Sequence, residues 1–355
     1  MRVATVLGNR PQFVKAAAVS HPLRERNVEL LIHTGQHHDA QLSAIFFEEL
    51  GLPAPDHTLE IAGGSNSSQL GRMVVALHPL LAQLKPDVVL LYGDTNSTLA
   101  GALAAADLGL AIAHVEAGMR AFDRTLPEER NRVLTDQLST LLLCSSAPAI
   151  EHLRAEGAPG EAIVVGDVMV DVALATRARV LGDTSALARL GLAGGEYLLA
   201  TAHRAANVDD PALLGALVTL LERMPDPVVL PLHPRTRARL RAHGLAKRAA
   251  GAAQLTPPLG YLEFASLLHH AKAVLTDSGG IQKEAYLAEV PCITLRSTTE
   301  WTETIDTGWN TLVGLDAGAA LRALNRPRPA THPRLYGDGK AAARVVEAIA
   351  NLARP

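Results

Sequence analysis

Residues 87–118, DVVLLYGDTNSTLAGALAAADLGLAIAHVEAG, decide the fold. A short apolar run closes on Gly93-Asp94, an Ala-rich stretch of helical length follows, and a second apolar run closes on Glu116. This is the pattern of a βαβ unit, whose two strands lie parallel. Residues 273–300, AVLTDSGGIQKEAYLAEVPCITLRSTTE, read the same way, with Asp277 and Glu300 spaced much as Asp94 and Glu116 are. The plan is used twice, at a separation too long for a solenoid repeat. The chain is therefore expected to be α/β, with two Rossmann-like doubly wound parallel-sheet domains and a cleft between them.

Further strands are expected at Val3–Leu7, Glu29–His33, Val88–Tyr92, Ala111–Val115, Thr140–Cys144 and Ile163–Val165. After Asp171 the pattern restarts, with strands at Tyr197–Thr201, Val228–Leu232, Val274–Thr276 and Cys292–Leu295. The expected domains are residues 1–168 and residues 169–338. A terminal helical segment, residues 339–355, is expected to pack back on the first domain. A chain of 355 residues exceeds one ordinary core, which agrees with two domains.

Composition removes several classes of function. A net charge of −3 without a basic stripe argues against nucleic acid. The two cysteines, Cys144 and Cys292, lack metal or disulfide spacing, so a reducing cytoplasm fits. The N-terminus turns polar too soon for a signal peptide, and no membrane span is expected.

Chemistry concentrates in a few stretches. HVEAGMRAFDRTLPEERNR, His114–Arg132, crowds carboxylates and arginines behind a strand. Asp94 and Glu116, each ending a strand, are expected to meet in one crevice and to transfer protons. Pro127 suits a first helical position, and Glu128 and Arg132 then share a helix face, as a surface ion pair or within the crevice. DSGGIQKE, Asp277–Glu284, follows a strand and opens a helix. Ser278, Gly279 and Gly280 would present N–H groups at its N-terminus, a phosphate cradle, with Glu284 one turn further in, within reach of a ribose. GNRPQFVK, Gly8–Lys15, offers Arg10 and Lys15 to a diphosphate. His203 in TAHR ends a strand, where it can bond a phosphate or move a proton. His37-His38-Asp39 and His269-His270 are weak metal candidates, because neighbouring side chains on one element point apart.

Taken together, GNRPQFVK, TGQHHD, GDTNSTLAG, HVEAGMR, PEERNR, TAHR, DSGGIQKEA, Thr298-Thr299-Glu300 and YGDGKA resemble the non-hydrolysing UDP-N-acetylglucosamine 2-epimerases, over nearly the whole chain. The resemblance implies a glycosyltransferase-B architecture with UDP bound by the second domain. It implies interconversion of UDP-N-acetylglucosamine and UDP-N-acetylmannosamine through elimination of UDP and its re-addition to a 2-acetamidoglucal. Asp94, Glu116, Glu128, Arg132 and His203 would be catalytic. Arg10, Lys15, His203, Ser278, Gly279, Gly280 and Glu284 would hold UDP. Gln36 and His37 match an allosteric site for the substrate. No metal or nicotinamide cofactor, no nucleic acid and no membrane is implied. A homodimer serving cell-surface polysaccharide synthesis in the cytoplasm is.

Two stretches depart from the usual pattern. Gln12-Phe13 follows Arg10-Pro11 where Glu is usual, and Trp301-Thr302 stands where Arg-Pro is usual. Both departures resemble the related epimerases of UDP-2,3-diacetamido-2,3-dideoxy-glucuronate. A glycosyltransferase of the same fold is an alternative of another class.

Overall fold

A computed structural model describes residues 1–36 and 47–352. They fall into two compact units, Met1–Leu174 together with the chain from Arg334 onward, and Ala175–Pro333.

The first unit holds β1 (Arg2–Leu7), β2 (Val28–His33), β3 (His57–Thr58), β4 (Val88–Tyr92), β5 (Ala111–Ala117), β6 (Leu141–Cys144) and β7 (Glu161–Val164). All pair in parallel in the order β3-β2-β1-β4-β5-β6-β7. The inner strands are apolar on both faces, and β4, VVLLY, is buried at every residue, as a strand covered by helices on each side must be. Four helices here bear on the site: α1 (Arg10–Arg24), α2 (Asn66–Leu84), α3 (Asn96–Asp107) and α4 (Pro127–Leu138). Their starts follow from the sequence. Asn9 caps α1 with its side chain, and Pro11 sits in that helix's first turn. Thr95 and Thr98 bond each other's main chain as a capping box at α3. Pro127 opens α4. One side of the sheet packs Val6, Val89, Leu91 and Ile112 against Met73, Leu77 and Leu81 of α2 and the alanines of α3.

The second unit holds β8 (Leu198–Thr201), β9 (Val228–Pro231), β10 (Gln254–Thr256), β11 (Ala273–Thr276), β12 (Cys292–Thr294) and β13 (Asn310–Leu312), again all parallel, in the order β10-β9-β8-β11-β12-β13. The helix that matters here is α5 (Gly279–Leu287). Two apolar clusters cover the two sheet faces. Among the described residues, no helix is long and apolar enough to cross a membrane.

Every strand expected from sequence forms, within about two residues. Three further strands, β3, β10 and β13, lie at sheet edges and are only two or three residues long. Such lengths carry no periodicity to read. One shift at a strand end has a cause of its own. β5 runs to Ala117, and its pairing with β6 slips between Val115 and Ala117. Glu116 occupies the slip with φ +72, a bulge that turns a strand residue out of line.

In both sheets the strand order reverses between the first strand and the fourth of the unit, β1/β4 and β8/β11. The turns that leave the carboxyl ends of these strands are tight. A Cβ on Gly8, directly after β1, would stand 1.9 Å from Ser97 Oγ and 2.4 Å from Thr34 Oγ1. Those hydroxyls bond each other at 2.8 Å. Gly8→Ala is therefore expected to cost about 1–3 kcal/mol by overpacking, measured as a lowered urea midpoint with an unchanged denaturant slope.

Candidate active site

In the first unit the polar residues gather at the carboxyl ends of β1, β4 and β5, at the reversal of strand order where open α/β sheets bind ligands. α1 brings Lys15 across to Glu116, and Lys15 Nζ bonds Glu116 Oε2. Both side chains are nearly buried, at 12% and 11% exposure. Gly93 makes room for the pair. It has φ +64, and a Cβ there would lie 3.1 Å from Lys15 Nζ and 3.4 Å from Glu116 Oε2.

Asp94 is held differently. Arg132 Nη2 bonds its carboxylate, and Asn131 Nδ2 donates to its carbonyl oxygen at 2.9 Å. Arg132 Nη1 also reaches Glu129 Oε2 at 3.1 Å. Glu129 in turn accepts the main-chain N–H groups of Ala121 and Phe122, at 2.9 and 3.0 Å. A chain of contacts thus runs from the loop after β5, through Glu129 and Arg132, to Asp94. Asp94 keeps 27% of its side chain exposed, so the chain ends in a carboxylate open to a ligand.

Beneath the two turns lies a second set. His114, wholly buried on β5, sets Nδ1 against Asp136 and Nε2 against the Gly93 carbonyl, each at 2.7 Å. Asp136 also accepts from Gly118 N at 3.1 Å and pairs with Arg120 at 2.8 Å. Arg120 passes on to Glu156. Burial pushes the Asp136 carboxyl up, but the bonds and charges of His114 and Arg120 outweigh it and hold it below the ordinary aspartate value.

The first unit thus brings together Lys15, Asp94, Glu116 and Arg132. Glu128 stands apart. It is half-buried and its side chain makes no hydrogen bond or ion pair among the described residues, and Arg132 pairs with Glu129 in its place. Arg10 is partly buried at the first position of α1. Gln36 accepts from Ser97 N and Oγ at 3.0 and 2.6 Å, which ties it to the start of α3. His37, with His38 and Asp39, lies outside the described residues. Gln12 has a scaffold role that sequence reading did not assign. It accepts Gly8 N–H at 2.8 Å and donates at 2.9 Å to the Tyr92 carbonyl and to Thr98 Oγ1, which joins β1, β4 and α3.

Sequence reading also missed Glu129, Asn131, His114 and Asp136. A usable signal existed for part of this set. Glu129, Arg132 and Asp136 fall at i, i+3 and i+7, one face of α4, and all three are buried.

In the second unit the corresponding strand ends belong to β8 and β11. Asp277, with no exposed surface, accepts from His203 N at 3.0 Å, Arg204 N at 3.0 Å and Asn207 Nδ2 at 3.2 Å. Its role as anchor of this turn was not read from sequence. The His203 ring lies with Nδ1 3.4 Å from Asp277, 40% exposed and beside His233, with ring centroids 5.4 Å apart. Across the β8/β11 pairing, α5 opens with Ser278 as N-cap. The Ser278 side chain makes no capping bond, so it does not occupy the N–H groups of the first turn. The two glycines differ. A Cβ on Gly279 would collide with Glu300 Oε1 at 2.2 Å, whereas one on Gly280 would meet only Ser278 Oγ, at 4.0 Å. The free approach is at Gly280. Glu284 lies further along α5, partly buried. Trp301 is buried, and Lys283 Nζ stands 4.2 Å from its ring centroid. His270 of the His269-His270 pair bonds its own helix, at Ser266 O.

A family model described as UDP-N-acetylglucosamine 2-epimerase matches residues 22–350. A UDP-2,3-diacetamido-2,3-dideoxy-D-glucuronate 2-epimerase of Pseudomonas aeruginosa is 45% identical, over 99% of this chain and 100% of its own. A UDP-N-acetylglucosamine 2-epimerase homolog of Methanococcus maripaludis is 43% identical over the same shares. Among solved structures, the UDP-GlcNAc 2-epimerase of Methanocaldococcus jannaschii in complex with UDP-GlcNAc and UDP aligns at a TM-score of 0.92 with 37% identity, over 99% of this chain and 100% of that one. Fold and kinship together make this chain an isomerase built from two Rossmann-like parallel-sheet units. It belongs to the UDP-N-acetylglucosamine 2-epimerase family.

The state of Asp136 gives a test of the buried set. Its folded value lies below its unfolded one, so its contribution is present above the unfolded value and is lost as pH falls through the folded value. Asp136→Asn is expected to cost about 3–5 kcal/mol at neutral pH by leaving the buried Arg120 guanidinium short of one of its carboxylates. The gap to wild type should narrow only below about pH 3.8, as followed by urea denaturation across pH.

Proposed function

We propose that the protein interconverts the C2 epimers of a UDP-linked 2-acetamido sugar, with UDP-N-acetylglucosamine and UDP-N-acetylmannosamine as the pair. The observation that carries this reading is the presence of two strand-end carboxylates, Asp94 and Glu116, each bonded to its own cation. Binding a sugar nucleotide does not by itself call for such a pair. Moving a proton off one face of a carbon and back onto the other does.

The substrate's chemistry sets the order of events. A C2 proton on a hexosamine has no carbonyl beside it and is not acidic. Departure of UDP from C1 builds positive charge there and makes the proton removable, leaving a 2-acetamidoglucal. UDP then returns to C1 as a proton is delivered to the opposite face of C2. In this reading Asp94 and Glu116 are the proton-moving groups. Arg132 and Lys15 orient them, and Glu128, which has no partner among the described residues, is a further acid or base. The departing UDP is received in the second unit by the first turn of α5 at Ser278, Gly279 and Gly280 and by the His203 side chain, which face developing negative charge with N–H groups. Glu284 takes the ribose. Arg10, at the start of α1, is a further candidate for a phosphate contact.

A second substrate is favoured by particular residues. Gln12 is built into the β1–β4 connection, and Trp301 is packed beneath Lys283. Both are departures that resemble the diacetamido-glucuronate epimerases, and a relative of that name is 45% identical. UDP-2,3-diacetamido-2,3-dideoxy-glucuronate is therefore the alternative substrate of the same chemistry.

Proton NMR in D2O with each nucleotide sugar tests both readings. Epimer formed with deuterium at C2 supports proton abstraction, and the substrate that exchanges names the specificity. Epimer formed without deuterium, or no epimer from either sugar, sinks the proposal. Asp94→Asn is expected to lower turnover by about 10²–10⁴-fold while nucleotide-sugar binding, read by calorimetry, persists.

A further inference from the structure

Glu116 and Asp94 leave two different strands, and their side chains have different partners. Both turns nevertheless rest on one buried group. His114 Nε2 faces the Gly93 carbonyl, and Gly93 N donates to the Val115 carbonyl at 3.0 Å, so Gly93 is held to β5 through both its carbonyl and its N–H. His114 Nδ1 faces Asp136, whose other oxygen takes the N–H of Gly118, two residues past Glu116. Each ring nitrogen thus meets a group that accepts. A carbonyl oxygen can only accept, and an aspartate already receiving Gly118 N–H and an arginine is held as the anion. The ring satisfies both partners when each nitrogen carries hydrogen.

We propose that His114, with hydrogen on both ring nitrogens, is a positioning residue that fixes the Gly93-Asp94 turn and the Glu116–Gly118 bend against each other. This rests on the reading of Asp94 and Glu116 as the proton-moving groups. The brace has no access to substrate, because His114 and Asp136 have no exposed surface. Its effect is on geometry: Gly93 backs onto the Lys15–Glu116 pair, so a shift of its peptide moves the wall of one carboxylate and the main chain of the other. A displacement of about 1 Å in a reacting group can lower a rate 10²-fold with little change in binding.

The test has a spectroscopic arm and a kinetic arm. In wild-type protein labelled with ¹⁵N-histidine, the His114 signal, identified by its loss in His114→Gln, is expected to show a bonded hydrogen on both ring nitrogens at neutral pH. A ring nitrogen without hydrogen overturns the brace. Asp136→Asn serves as the second variant should the first fail to fold. In either variant kcat per folded molecule is expected to fall about 10²-fold, with KM for the nucleotide sugar changed by less than about three-fold. Both variants turning over at wild-type kcat would show His114 to be only a core residue and would end the proposal. Asp94→Asn is assayed beside them. Should it keep full turnover, the catalytic reading fails on its own evidence and the positioning role falls with it. Should it lose turnover while the His114 and Asp136 variants do not, only the positioning role falls.

Discussion

Buried carboxylates that accept main-chain N–H groups hold the working turns of both units. Parallel strands end with their next peptides aimed out of the sheet, and a buried loop cannot leave those N–H groups without acceptors. Glu129 takes the N–H groups of Ala121 and Phe122, Asp136 takes that of Gly118, and Asp277 takes those of His203 and Arg204. Burying a charge is costly unless it is fully bonded, and each of these carboxylates meets two or more donors. Charge-assisted bonds of this kind are stronger than neutral ones. They let irregular backbone stay ordered where glycines and positive φ values weaken it.

The two units apply this solution differently. In the first, the carboxylate anchors are linked through arginines, so Glu129 reaches Asp94 by way of Arg132, and Asp136 reaches Glu156 by way of Arg120. In the second, Asp277 takes the main-chain N–H groups of His203 and Arg204 directly, and the ring of His203 is left 40% exposed. The contrast suits the roles proposed for them. Proton transfer needs several groups fixed relative to one another to fractions of an ångström, whereas a diphosphate is received by main-chain N–H groups that the helix has already aligned.

Much of this is legible in the amino-acid sequence. Strands flanked by Gly-Asp and Asp-Ser-Gly-Gly turns identify themselves, because parallel strands covered on both faces are written as unbroken apolar runs. The strand-end positions of Asp94, His203 and Ser278 follow from those runs. What stays hidden depends on direction within a turn of helix or bulge. Glu128 and Glu129 are neighbours in sequence, and only the geometry of α4 decides that Glu129 faces inward to Arg132. The bulge at Glu116 cannot be read from HVEAG, since nothing in the letters marks a non-glycine residue with positive φ. Gln12 stands out in sequence only as a departure from a pattern. Its two-ended bonding to Gly8, Tyr92 and Thr98 shows it to be part of the scaffold.

The glycine that opens α5 has a wider consequence. Glu300 fills the space where a side chain on Gly279 would go, and Arg296 holds Glu300 in place at 2.9 Å. A side chain at position 279 therefore needs Glu300 to move or shrink, whereas a smaller residue at 300 leaves the glycine where it is. Across descendants of this sequence a change at Gly279 should follow a change at Glu300, so an inherited order between two distant letters records a contact no wider than one methyl group.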